Sequence, residues 1–275
     1  MNGCLTVARE SLRRVAAARA ILLFAALFAV LALGLSYFGL AGQRAAGFQG
    51  FARLTGSLLN LVVYVVPLMA LMVGTTEVAG RLHHLSVILA QPVGRSAVLV
   101  GSYLGVAAAL AAALVIGLGA AGVLVGLQSG AGAAAAGGFI VLVVTALALL
   151  LAFLAVAYLL GVVFLDRLRA MGAAVVVWFA AVVGYDLAVI GLSSLLKGVP
   201  LKSVLLPAIL LNPVDLGRVV VTLAGGRGAL FGPAGATLVD VFGRPAGAVL
   251  AAGVLALHVA LPLVVAVLVF RRRDL

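Results

Sequence analysis

The sequence predicts an all-α polytopic membrane protein with six transmembrane helices. Six apolar runs, at 19–40, 58–76, 98–127, 139–165, 172–195 and 247–270, fill most of the 275 residues, with short polar breaks between them. A spanning helix needs about 20 mostly apolar residues at ~1.5 Å rise each to cross ~30 Å of hydrocarbon, and each run meets or nearly meets that length. Composition agrees: 66% of residues are hydrophobic and 9% charged, where a soluble domain carries about 25% charged residues. The mean hydropathy of +1.36 leaves room for one helical membrane unit and no soluble domain beside it.

The formal charge of +11 would suggest nucleic acid in a soluble chain. Here the arginines sit at helix ends, so they read as topology signals and contacts to lipid phosphate, with no nucleic acid implied. Cys4 is the only cysteine, which excludes an intrachain disulfide and a multi-thiolate metal site.

Residues 3–18 precede the first run as an amphipathic helix. Leu5, Ala8, Leu12 and Val15 recur at helical spacing, while Arg9, Glu10 and Arg13 take the other face. Glu10 stands four residues before Arg14, the favourable order for a helical ion pair. Such an interfacial helix is expected flat on the inner surface, arginines towards anionic membrane lipids. The first run is too long for a signal peptide and is read as an uncleaved span.

Charge sets the orientation. With both termini cytoplasmic, the inner segments hold Arg9, Arg13, Arg14, Arg19, Arg81, Arg95, Arg167, Arg169, Arg271, Arg272 and Arg273, whereas the short outer loops hold only Arg44 and Arg53. That asymmetry is the positive-inside pattern of an inner-membrane multi-pass protein.

The break at 77–97 is the one inner loop long enough to hold structure. Leu82, Leu85, Ile88 and Leu89 form an apolar stripe before Pro92 and Gly94 punctuate the end. A short cytoplasmic helix with an exposed apolar face needs lipid or a partner protein to cover it. His83 and His84 are adjacent and point about 100° apart on a helix, so they do not chelate one ion; they read as polar loop residues.

In the third run, Gly101 and Gly105 form one G-x-x-x-G pattern and Gly122 and Gly126 another, faces that permit close helix contact. In the fifth run Asp186 follows Tyr185 deep within apolar sequence. A carboxylate there costs ~2.5–3.5 kcal/mol on insertion scales and normally faces a bundle interior or water. Tyr185 and Asp186 are candidates for a translocation path or outer gate. The competing reading is an ion pair of Asp186 with Lys197, Lys202 or Arg218, or a protonated acid bonded to a neighbouring span.

The outer segment 197–246 carries a marked helix start: Asn212 as N-cap, Pro213 at the first helical position and Asp215 three residues after the cap. Its apolar pieces are too short to span, so they are expected to lie along, or re-enter, the outer leaflet. No G-x-x-x-x-G-K-[ST] nucleotide loop, G-x-S-x-G or H-E-x-x-H occurs, so the chain carries no recognisable motor and no catalytic set.

Several of these stretches resemble one family. Val7-Ala8-Arg9-Glu10-Ser11-Leu12 resembles the opening of ABC-exporter permeases of the second type, and Leu89-Ala90-Gln91-Pro92-Val93-Gly94-Arg95 is similar to their loop after span two. Tyr185-Asp186-Leu187, Leu211-Asn212-Pro213-Val214-Asp215 and Phe270-Arg271-Arg272-Arg273 resemble the branch serving nitrous-oxide reductase maturation. The resemblance covers essentially the whole chain as a single transmembrane domain. It departs where only Glu77 and Gly80 remain of an acidic, glycine-containing run, and where Ser102 replaces a common lysine.

The resemblance implies a homodimer bound to two cytoplasmic ATPase subunits, which hold the ATP and Mg; this chain is expected to bind no cofactor and no metal. Glu77, Arg81, Leu85, Leu89, Pro92 and Arg95 would couple to the ATPases. Asn212, Pro213, Asp215 and Arg218 would dock a periplasmic copper-handling protein. The activity implied is export of a sulfur species, or mechanical work passed outward, for the reductase copper–sulfur centre. The alternatives are an exporter of another cargo (lipid, drug or ion) and a non-transporting membrane scaffold.

Overall fold

The computed structural model describes residues 2–18, 25–26, 28–35, 50–81, 94–129, 133–195, 201–225, 239–242 and 245–272. In chain order the helices are α1 (Asn2–Ala17), α2 (Gly50–Arg81), α3 (Arg95–Ser129), α4 (Ala133–Phe164) and α5 (Arg167–Phe179). A π-helical stretch, Ala180–Gly184, then leads to α6 (Tyr185–Leu195), α7 (Leu201–Leu211), α8 (Pro213–Ala224) and α9 (Pro245–Arg272). Five helical stretches are long and apolar enough to cross a membrane: Thr55–Gly80, Arg95–Val123, Gly137–Phe164, Arg167–Gly191 and Pro245–Arg272. The protein is an all-α, multi-pass membrane protein. These five match the second to sixth runs; most of the first lies outside the described residues, although Phe28 and Ala32 are buried in the common core.

The α4 helix is the axis of the bundle because it is apolar on every side, with the highest mean hydropathy of the spans at 3.1. It packs on α2, α3, α5, α8 and α9, and buries Leu142, Leu149, Leu154, Ala157 and Tyr158 completely. Polar groups inside this core are paired: Ser102 and Tyr158 share a 2.9 Å hydroxyl hydrogen bond, and the Tyr103 hydroxyl donates to the Leu151 carbonyl at 3.0 Å. At the arginine-bearing end the chain reverses from α4 to α5 in two residues. Leu165 adopts φ 55°, and the Asp166 side chain caps α5 by accepting from the Arg169 amide at 2.8 Å.

Two helix ends differ from the breaks read in the sequence. The α2 helix runs on to Arg81, so Glu77 and Arg81 lie on a helix and not in a loop, and Arg95 opens α3. Leu85, Leu89 and Pro92 lie outside the described residues, as does any helix between 82 and 93.

The amphipathic α1 helix is packed on protein where the sequence expectation put it flat on lipid. A Cβ at Gly101 would meet the Cys4 carbonyl oxygen and Val7, and one at Gly105 would meet the Ala8 carbonyl oxygen, Ser11 and the Leu12 amide. Successive turns of α3 thus meet successive turns of α1 in the same order, so the two helices run side by side in the same sense. The first G-x-x-x-G is an intramolecular seam. Of the expected apolar stripe, Val15 is buried and Ala8 and Leu12 half-buried, whereas Leu5 stays 68% exposed.

The α7–α8 pair is bent by 109°. Near its start, α8 sets Gly217 against Thr145 and Leu149 of α4; at its end, Ala224 reaches Gly138. The Asn212 turn between the two helices therefore sits roughly 12–18 Å inside the span end at Gly137, and α8 climbs back towards that end. This is a re-entrant segment.

The α1–α3 seam yields a direct expectation. A Gly105→Leu side chain has no space against the α1 backbone, so α1 must lift. Cys4, the sole thiol and half-buried in that seam, should then react with a maleimide several-fold faster than in the wild-type chain.

Candidate functional site

Three interruptions of regular backbone meet at one place: the π-helical stretch between α5 and α6, the Asn212 turn, and the C-terminal end of α7. Each frees backbone carbonyls that hydrocarbon cannot hydrogen-bond, a cost of several kcal/mol per group if unmet. Side chains meet them. Asn212, 3% exposed, accepts from the Val214 amide at 3.1 Å and donates to the Ala181 carbonyl of the π-helical stretch at 2.8 Å. The Tyr185 hydroxyl donates to the Ala208 carbonyl at 2.8 Å. His258 of α9 places Nε2 3.0 Å from the Leu211 carbonyl and Nδ1 2.8 Å from the Val254 carbonyl.

Charge is added to this node from two helices. Arg218 Nη1 donates to Asp186 Oδ2 at 3.0 Å and to Asp215 Oδ1 at 3.2 Å, and Asn212 Nδ2 donates to Asp215 Oδ2 at 3.1 Å. The fold thereby gathers Tyr185, Asp186, Asn212, Pro213, Asp215 and Arg218 into one cluster, although the sequence assigned them to two roles. The ion-pair reading of Asp186 holds, with Arg218 as the partner. The cluster is not sealed: the Asp186 side chain is 38% exposed and Arg218 27%, against 14% for Asp215. Counted from Arg167, Asp186 lies roughly 28 Å along its span, on the side away from the arginine-bearing end.

A second polar node sits at the arginine-bearing end. Glu77 of α2 approaches Arg14 of α1 to 3.3 Å, and Glu10 approaches the same guanidinium at 3.9 Å. Glu77 thereby joins the end of span two to α1. Arg95, at the first position of α3, has an interaction of its own, while the Arg81 side chain lies outside what is described. No group of three or more potential metal-ligating side chains occurs among the described residues.

A family model described as "ABC-2 family transporter protein" matches residues 5–275. The chain belongs to the ABC-2 transporter family. It is similar to the protein described as "Probable ABC transporter permease protein NosY" of Stutzerimonas stutzeri, 32% identical over 237 residues, covering 83% of this chain and 84% of that one. The protein of the same description from Pseudomonas aeruginosa is 33% identical over 220 residues, covering 78% and 80%. This ABC-2 permease is accordingly a transmembrane subunit of an ABC transporter in the inner membrane, and its family implies a separate ATPase subunit.

Sequence reasoning missed two members of the permease's node. The π-helical stretch Ala180–Gly184 leaves no mark in the sequence beyond Gly184. His258 was legible in principle, as the single polar side chain in the final apolar run between Gly253 and Phe270.

The shared guanidinium predicts an asymmetry. Arg218→Met leaves two carboxylates facing each other and should cost about 2–3 kcal/mol. Asp186→Asn keeps the Arg218–Asp215 pair and should cost about 1 kcal/mol or less. Thermal midpoints of the purified variants in one detergent should rank wild type, Asp186→Asn, then Arg218→Met.

Proposed function

We propose that this permease serves maturation of the copper–sulfur centre of nitrous-oxide reductase. The single observation that carries the reading is the polar node on the re-entrant turn, built from the residues in which the chain resembles that branch. The two relatives named NosY support the same assignment.

In this reading the arginine-bearing end is cytoplasmic, in keeping with the positive-inside pattern, and both termini lie there. Two ATPase subunits, holding ATP and Mg, dock at that end of a homodimer. The span Arg167–Gly191 has only 11% of its most apolar window buried within one copy, which suits it to face the second copy. Glu77 and Arg81, Leu85, Leu89 and Pro92 of the following segment, and Arg95 receive the nucleotide-driven movement. Glu77 passes it to α1 through Arg14. The node is the element with two arrangements: Arg218 can hold Asp186 across to α6, or Asp215 on its own helix. Loss of the cross-helix bond frees the re-entrant segment and alters the outer surface. A periplasmic copper-handling protein docks there, and the output is a sulfur species exported or mechanical work delivered. The chain itself carries out no catalysis and binds no cofactor.

The test is reconstitution in a denitrifying host lacking its own permease gene, with this chain supplied together with the ATPase and periplasmic genes that flank it. The wild-type chain should restore the absorption of the reductase copper–sulfur centre. Charge reversal at Arg95 should abolish it while leaving the permease in the membrane. Full reductase assembly without the permease, or with the ATPase genes deleted, would show that another cargo or a scaffolding role is correct.

A further inference from the structure

We propose that the outward face of α1 is a binding site for the headgroup of an anionic phospholipid. The face lines a groove of about 630 Å³ formed by Leu5, Thr6, Arg9, Glu10, Arg13 and Arg14. Its charge is cationic and available. Arg14 is engaged by Glu77 at 3.3 Å and by Glu10 at 3.9 Å, whereas Arg9 and Arg13 are exposed and have no carboxylate partner among the described residues.

Depth fixes what the two arginines meet. They flank the turns of α1 that pack on Gly105, and Gly105 lies roughly 27 Å along α3 from the span end at Val123. That distance is close to the ~30 Å of hydrocarbon, so the guanidiniums reach the level of the lipid phosphates. Leu5, 68% exposed in the same groove, supplies an apolar wall beside the cationic one. A groove with both walls at that depth matches a glycerophospholipid, whose phosphate and acyl chains meet at the same level. An acidic protein surface would satisfy the arginines and leave Leu5 uncovered.

The consequence is mechanical. The opposite face of α1 is seated on α3, and Arg14 ties it to Glu77. A phosphate held by Arg9 and Arg13 would anchor to the bilayer the helix against which the end of span two bears.

Native mass spectrometry of the full chain, purified in mild detergent and supplied with phosphatidylglycerol and phosphatidylcholine of matched acyl chains, tests this. Each surface arginine is worth about fivefold in attraction to an anionic headgroup, so wild type should retain phosphatidylglycerol with about twentyfold preference. Arg9→Gln/Arg13→Gln should bring the two lipids to near parity. Arg9→Lys/Arg13→Lys should keep most of the preference, and Arg271→Gln/Arg272→Gln should leave it intact. If the double glutamine variant misfolds, Arg9→Gln alone, expected to lose about fivefold, decides.

An unchanged preference in a folded Arg9→Gln/Arg13→Gln variant overturns the proposal. So does an equal loss in Arg271→Gln/Arg272→Gln, which would mean diffuse attraction. Full displacement of the lipid by inorganic phosphate would overturn it in favour of a free anion. Loss of ATPase capture by the glutamine variant, with lipid retention unchanged, would assign the face to a protein instead.

Discussion

Backbone carbonyls inside hydrocarbon need donors from the protein itself, and this constraint organises the half of the molecule away from the arginines. A straight span satisfies its own backbone. A π-helical stretch and a proline-started helix cannot, and the chain has both within one layer. Asn212 reaches the Ala181 carbonyl, Tyr185 reaches Ala208, and His258 stands against Leu211. Four helical segments are held in register by these contacts, so changing one side chain unsettles several segments together. The Arg218 bridge to Asp186 and Asp215 is laid over this frame.

The arginine-bearing end follows a different logic. There, glycines let α1 close onto α3, and one ion pair, Arg14 to Glu77, joins α1 to the last turns of α2. The two polar nodes are joined by α2 and α4, which pack on each other, with α4 reaching α8 directly. A long, apolar, closely packed α4 is a stiff element, so a shift at its arginine-bearing end has little room to dissipate before it reaches α8.

Much of this was readable in the residues because the signals are local. Run length gave the spans, and Asn212-Pro213 with Asp215 gave the helix start at the re-entrant turn; the Arg14–Glu77 and Arg218–Asp186 pairings were not so directly visible. Arg218 could be named as one possible partner of Asp186 but not separated from Lys197 and Lys202, since distance along the chain says nothing of a 3.0 Å approach across 32 residues. The flat placement of α1 followed from its amphipathic pattern, which fixes that a face is buried but not against what. Gly101 and Gly105 held the missing half of that answer. Glu77 was assigned to a loop because hydropathy falls at the first charge, whereas the helix continues until its backbone bonding ends at Arg81.

The central claim is that the node on the re-entrant turn has two arrangements biased by the distant ATPases. Spin labels at Leu187→Cys and Ala224→Cys, in a Cys4→Ser chain assembled with its ATPase subunit, report the separation of α6 and α8 directly. Trapping the ATPase with nucleotide should shift that distance distribution by several ångströms relative to the nucleotide-free complex. Identical distributions in the two states would contradict the account.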